Sequence, residues 1–151
     1  MARKIRTILV PLDGLPGSEA VLASVGELAR AEDAKVRLLH VATPVDNVVV
    51  NGRVVAYADQ EAARVTEEVL AALKKTGTQL PGIEVELTVR FGDPVEEIVL
   101  EAELAGVDLI ALATHRRTGV TRLLRGSVAE AVERATAIPV LLVRYGAEVA
   151  A

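Results

Sequence analysis

The reading of this chain is decided by residues 107–127, VDLIALATHRRTGVTRLLRGS. The stretch opens on an apolar run, Val107 to Ala113, interrupted only by Asp108. That is long enough for one strand buried on both faces. An arginine-dense turn follows, with His115, Arg116, Arg117, Gly119, Arg122 and Arg125. It ends on Gly126-Ser127, and Ser127 with Glu130 three residues later has the S-x-x-E spacing of a capping box. A buried strand thus empties into a basic loop, and the loop feeds a helix N-terminus. Free backbone N–H groups and the positive helix end suit such a place to an anion, above all a phosphate.

Composition sets the limits around this stretch. The 151 residues suffice for one domain with a real core. Hydrophobic residues make up 51% but aromatics only 2%, so the core is built of Val, Leu, Ile and Ala, which suits a helix-covered parallel sheet. A net charge of −4 argues against general nucleic-acid or acidic-membrane binding and leaves the local basic patch for a small anion. With no cysteine, disulfides and thiolate metal sites are excluded. The apolar run of MARKIRTILVPLDG breaks at Pro11 and Asp13, too early for a signal segment, so a cytoplasmic protein is expected.

Working outward, Ile5 to Leu12 reads as a first strand that delivers Asp13 to its carboxyl end, in the turn-rich run Pro11 to Gly17. Val21, Leu22, Val25, Leu28 and Ala29 have helix spacing. Lys35 to Val41 is the second strand. Ala42 to Tyr57 has no helical period; the valine runs around Asn51-Gly52 fit a small hairpin, and a long connection over the site is the preferred reading. Asp59 to Thr76 is helical, with Ala62, Val65, Val69 and Leu73 inward and Gly77 as its stop. Ile83 to Arg90 alternates, as an edge strand with one wet face does. Asp93-Pro94-Val95-Glu96 is a helix start with Asp as N-cap and Pro at the first helical position, leading into a buried stripe of Val95, Ile98, Val99 and Ala102. After the organising strand, a helix from Ser127 turns Val128, Ala131, Val132 and Ala135 inward. Ile138 to Val143 is the last strand, and residues 147–151 are expected to fray.

The order β-α-β-α-β-α-β-α-β implies an α/β fold, a doubly wound parallel sheet of five strands with right-handed crossovers. Ligands of such sheets sit at the carboxyl ends of the strands where the winding reverses. Two exits carry suitable chemistry, Pro11 to Gly17 and Thr114 to Ser127. If they are neighbours, a phosphate on the second and Asp13 on a hydroxyl make a nucleotide-shaped site. Each piece also has a plainer role: Asp13 as a turn residue, the arginines as a solvated face, Ser127 as a helix cap, and His40 and His115 as structural groups. G-x-x-x-x-G-K-[ST], G-x-G-x-x-G and G-x-S-x-G are absent, so a P-loop, a dinucleotide fingerprint and a nucleophile elbow are not supported.

ILVPLDG (8–14), LLHV (38–41), ATHRRTGVTRLLRGSVAE (113–130) and IPVLLV (138–143) resemble the universal stress protein family, in order and spacing, across essentially the whole chain. The resemblance implies one Rossmann-like domain over residues 1–146, strand order 3-2-1-4-5, two helices on each face, and a homodimer paired through Ile138 to Val143. One branch of the family binds ATP through G-x2-G-x9-G-[ST]. Gly126 and Ser127 match its final pair, whereas Ala113 and Arg116 replace its two earlier glycines. Asp13 matches the family's ribose aspartate, Leu15 replaces a frequent serine, and Val41 matches a backbone contact to adenine. The implied site is Pro11, Leu12, Asp13, Val41, Leu112, Ala113, Arg116, Gly126, Ser127, Val128 and Ala129, binding ATP (or AMP or ADP), with Mg2+ accompanying a triphosphate.

Arg116 either clamps the phosphates through its guanidinium or fills their space. The two outcomes are a non-enzymatic adenine-nucleotide-binding stress regulator, with hydrolysis slow or absent, and a nucleotide-free dimer acting through protein partners. An adenylating ligase would need a second domain for which this length leaves no room.

Overall fold

The computed structural model describes residues 4–14, 17–115 and 128–145. The first strand, β1 (Thr7–Pro11), is buried at every position. A short 3-10 turn, Ser18–Ala20, then enters α1 (Val21–Glu32), whose buried residues are Val21, Leu22, Val25, Gly26 and Ala29. Next come β2 (Lys35–Ala42), the short strands β3 (Val48–Val50) and β4 (Arg53–Ala56), and α2 (Ala58–Gly77). The chain continues through β5 (Val85–Phe91), α3 (Pro94–Ala105), β6 (Leu109–His115), α4 (Val128–Ala135) and β7 (Val140–Tyr145).

Five strands form one sheet in the order β5-β2-β1-β6-β7, and every ladder in it is parallel. Counting only those five, this is the order 3-2-1-4-5 that the family resemblance implies. Strand residues alternate between two cores. Ile8, Val10, Val36, Leu38 and Ala111 pack with Val21, Val25 and Leu73 of α1 and α2. Leu9, Leu39, Ile110 and Leu112 pack with Ile98, Ala102, Ala129 and Val132 of α3 and α4. The winding reverses between β1 and β6.

Local chemistry accounts for the element starts. The Asp93 carboxylate accepts from the Glu96 N–H at 3.0 Å, with Pro94 opening α3 where no donor is needed. Asp108, the one polar residue in the apolar run, accepts from the N–H groups of Arg6 and Thr7 at 2.9 and 3.1 Å, so it joins β6 to the amino end of β1.

Four expectations change. The segment after β2 is a hairpin, not an open connection: β3 and β4 pair antiparallel, and Asn51 (φ 52°) and Gly52 (φ 75°) take the two left-handed positions of a tight turn. Gly77 is the last residue of α2 rather than a left-handed stop. A Cβ there would lie 3.4 Å from Val85 Cγ1, an ordinary van der Waals contact, so this turn of α2 packs over β5. The alternate face of β5 is not simply wet, because α3 covers it with carboxylates. On α4, Ala129 and Val132 are the buried pair, while Val128 and Ala135 are exposed.

Candidate functional site

The site is built from the exits of three adjacent strands. β1 and β2 stay paired as far as Pro11 and Leu39, and the ladder is then prolonged by Leu12 N–H donating to Leu39 O at 2.8 Å. On its other side β1 behaves differently. Among the described residues its ladder with β6 consists of Ile8–Leu109 and Leu9–Ile110 and goes no further. Pro11 has no N–H to offer a neighbour. At its carboxyl end β1 is thus hydrogen-bonded to β2, while its described ladder with β6 stops short, at the point where the winding reverses. This is where open α/β sheets take ligands.

Asp13 stands exposed just past the end of β1, followed by Gly14 at φ 79°, a backbone conformation that favours glycine. Leu12 beneath it is buried. Val41, half-buried at the end of β2, packs on the α3–α4 side with Leu39 and Leu112. On β6, Leu112 is buried and Ala113 half-buried, and they pair with Leu142 and Val143 of β7. α4 begins at Val128, which is 45% exposed, and Ala129 is buried against the core. Pro11, Leu12, Asp13, Val41, Leu112 and Ala113 therefore share the carboxyl ends of β1, β2 and β6. Arg116, Gly126 and Ser127, the rest of the basic loop, the Ser127–Glu130 cap, Leu15 and the tail from 147 lie outside the described residues.

One neighbour of the site, expected as a structural group, makes a bond that the sequence does not show. His40 at the end of β2 has its Nδ1 2.8 Å from Leu12 O. The clue was position: with β2 beside β1, residue 40 must stand next to the run that delivers Asp13.

On the far side of β2 the sheet carries charge. Glu101 of α3, 5% exposed, bridges two arginines: Oε2 accepts from Arg37 Nε at 2.6 Å and Oε1 from Arg90 Nη1 at 3.0 Å. Arg37 also meets Glu86 at 3.0 Å, and Arg90 meets Glu97 at 2.8 Å. Burial works against the Arg37 cation, but the hydrogen bonds and charges of Glu101 and Glu86 outweigh it and raise its pKa. Burial likewise opposes the Glu86 carboxylate, and Arg37 and Lys35 more than compensate, holding it below the usual carboxylate range. At Arg90 the Glu97 hydrogen bond leads in raising the pKa. These groups are committed to one another and seal the β2–β5 flank. Among the described residues no cluster of three or more His, Cys, Asp or Glu could hold a metal, and no helix is long and apolar enough to cross a membrane. A polar groove of about 380 Å³ lies at the opposite, amino end of the sheet, lined by Arg6, Arg30 and Lys35 together with Asp33 and Glu84.

This geometry has known counterparts. The chain is 26% identical over 147 residues to the universal stress protein YxiE of Bacillus subtilis, covering 91% of this chain and 97% of that one. It is 29% identical over 137 residues to a universal stress protein of Mycobacterium tuberculosis, of which it spans 45%. A solved structure from Methanocaldococcus jannaschii superposes with a TM-score of 0.77 at 28% identity, covering 97% of this chain and all of that one. Two more distant structures share the fold at 21% identity. One is a universal stress protein in complex with cAMP (TM-score 0.71, 94% of this chain and 98% of that one). The other is the Archaeoglobus fulgidus protein in complex with dAMP (TM-score 0.57, 93% and 98%). A model of the universal stress protein family matches residues 4–144, and with this sheet order and this coverage the chain belongs to that family.

Proposed function

We propose that residues 1–146 form one adenine-nucleotide-binding unit, a regulator in the stress response that works by binding rather than by catalysis. The observation that carries this reading is the parting of β1 from β6 directly beneath Asp13, with Val41 one strand away. Asp13 takes the ribose hydroxyls and the backbone of Val41 the adenine edge. Pro11, Leu12, Leu112 and Ala113 form the walls. Gly126, Ser127, Val128 and Ala129 meet the phosphates at the start of α4, where unpaired N–H groups and the helix dipole favour an anion. Arg116 is a phosphate clamp, and Mg2+ accompanies the nucleotide if it is ATP. The cAMP and dAMP complexes of structurally similar proteins support the adenine preference. The apolar segment Ile138 to Val143 supplies the homodimer contact: β7 pairs only with β6 among the described residues, and an apolar outer strand invites a second strand. The proposed compartment is the cytoplasm.

Release of bound nucleotide tests the reading directly. Purified protein is denatured and its small molecules separated by ion exchange, alongside calorimetric titration with AMP, ADP and Mg-ATP. Close to one adenine nucleotide per chain, or saturable binding, upholds it; an empty protein that titrates with none of them overturns it. Asp13→Ala is expected to weaken binding about 10- to 100-fold, the worth of a hydrogen bond to a charged group. The second reading, a nucleotide-free dimer, is favoured by the bulk of Arg116 where the family's ATP-binding branch has glycine. Arg116→Gly separates the two: a gain in affinity marks the arginine as a block, a loss marks it as a clamp.

A further inference from the structure

We infer that His40 is a positioning residue for the nucleotide site: by gripping the Leu12 carbonyl it sets where Asp13 stands relative to Val41. This deepens the nucleotide-binding reading and rests on it. A carbonyl oxygen has only lone pairs, so a contact of 2.8 Å to Nδ1 requires the proton to lie on Nδ1 and leaves Nε2 bare when the ring is neutral. Leu12 is then held by β2 at both of its backbone groups, its N–H by Leu39 O and its C=O by His40 Nδ1–H. Asp13 is the next residue along. Gly14, the residue after it, lies near the same ring, since a Cβ there would sit 3.9 Å from His40 Cε1.

The position of His40 on its strand matters as much as its bond. Val36 and Leu38, on its face of β2, pack in the core beneath α1 and α2, and the histidine follows them on that face, ahead of Ala42 at the end of the strand. Val41, its successor, faces the opposite core. One dipeptide of β2 therefore fixes both ends of the ribose–adenine span, one through a side chain and one through its own backbone. Beyond Leu9 the described ladder to β6 does not do this for β1, and Leu12 is tied through β2.

The test uses His40→Leu, which removes the donor, and His40→Asn, whose amide N–H can occupy the place of Nδ1–H, each with and without Asp13→Ala. The ligand is AMP, measured by titration calorimetry. In the ligand-free protein, nitrogen NMR reads the ring tautomer and the amide exchange of Asp13 and Gly14. The Leu variant is expected to lose about tenfold in affinity and the Asn variant to stay within about threefold of the parent, the scale of one hydrogen bond. The Leu penalty should vanish in the Asp13→Ala background, because the histidine acts through that carboxylate. A penalty of full size in that background, or a neutral ring protonated on Nε2, overturns the inference. Should the parent protein bind none of AMP, ADP and Mg-ATP, the nucleotide reading falls and the ligand-free readout decides the positioning role. Faster exchange at Asp13 and Gly14 in the Leu variant, restored by Asn, upholds it; unchanged exchange overturns it.

Discussion

Two seams of the same sheet are built in opposite ways. Between β2 and β5 the ladder runs unbroken from Val36–Val85 to Ala42–Phe91, and Gly92 N–H extends it onto Ala42 O at 3.0 Å. Arg37 and Glu86 face each other across it, and Glu101 locks both strands to α3. Between β1 and β6 the ladder covers Ile8–Leu109 and Leu9–Ile110, with the Asp108 carboxylate tying the amino end. The first seam is closed along its length. The second is stapled at the bottom and open at the top, where the candidate ligand chemistry gathers. Stability and ligand access are thereby assigned to different strand pairs, which makes them separable by mutation.

The largest effect is expected on the closed seam. Glu101→Ala leaves Arg37 and Arg90 without their shared carboxylate, at a cost of about 3 kcal/mol. For a chain of this size that is roughly 6–12 °C in Tm by calorimetry. AMP affinity measured well below the transition should be unchanged; a parallel loss of affinity would show that the two seams are coupled. Next comes the staple of the open seam. Asp108→Ala deprives the Arg6 and Thr7 N–H groups of their acceptor and should cost about 2 kcal/mol in denaturant unfolding, with Asp108→Asn costing less than half of that. A smaller loss, about 1 kcal/mol, is expected from Asp93→Ala, which uncaps the helix bearing Glu101.

The smallest effect is a pH dependence. Glu86 is held below its usual range in the folded chain, so the folded state favours its ionised form. Its contribution is fully present above the unfolded value of about 4.3 and is lost as pH falls through the lower folded value. With the side chain 34% exposed, less than about 1 kcal/mol is involved. Glu86→Gln should flatten the acid limb of the stability profile by that amount while leaving stability near pH 7 lower.

What could be read in the sequence was whatever local chemistry decides. The start of α3 is written in three residues, Asp93, Pro94 and Glu96, and the strand β6 in the apolar run from Val107 to Ala113. The strand order and the expectation for Val41 needed the family resemblance, since spacing alone does not say which strands become neighbours. The hairpin was half legible: Asn51-Gly52 prescribes the turn, but exposed valines at 49, 50 and 54 contradict the rule that apolar runs are buried. Glu101 was hidden because it sits beside Ile98 and Ala102 on the buried side of α3, and its partner Arg37 is 64 residues away. His40 was legible as a structural group, but its bond to Leu12, spanning 28 residues, was not.

The β3–β4 hairpin also bears on how this chain can be handled and how its relatives can vary. Its strands form a two-stranded sheet separate from the main one, and its base is fastened to α2 by Asn47 Oδ1 accepting from the Ala58 N–H at 2.6 Å. Length added at the Asn51–Gly52 tip therefore leaves both cores intact and costs little, since doubling a loop adds only about 0.6 kcal/mol of closure entropy. The tip is a natural port for a peptide tag or a reporter dye on a protein whose sequence contains no cysteine. A single cysteine placed there would be the sole thiol of the sequence, a unique attachment point on the connection that leaves the carboxyl end of β2.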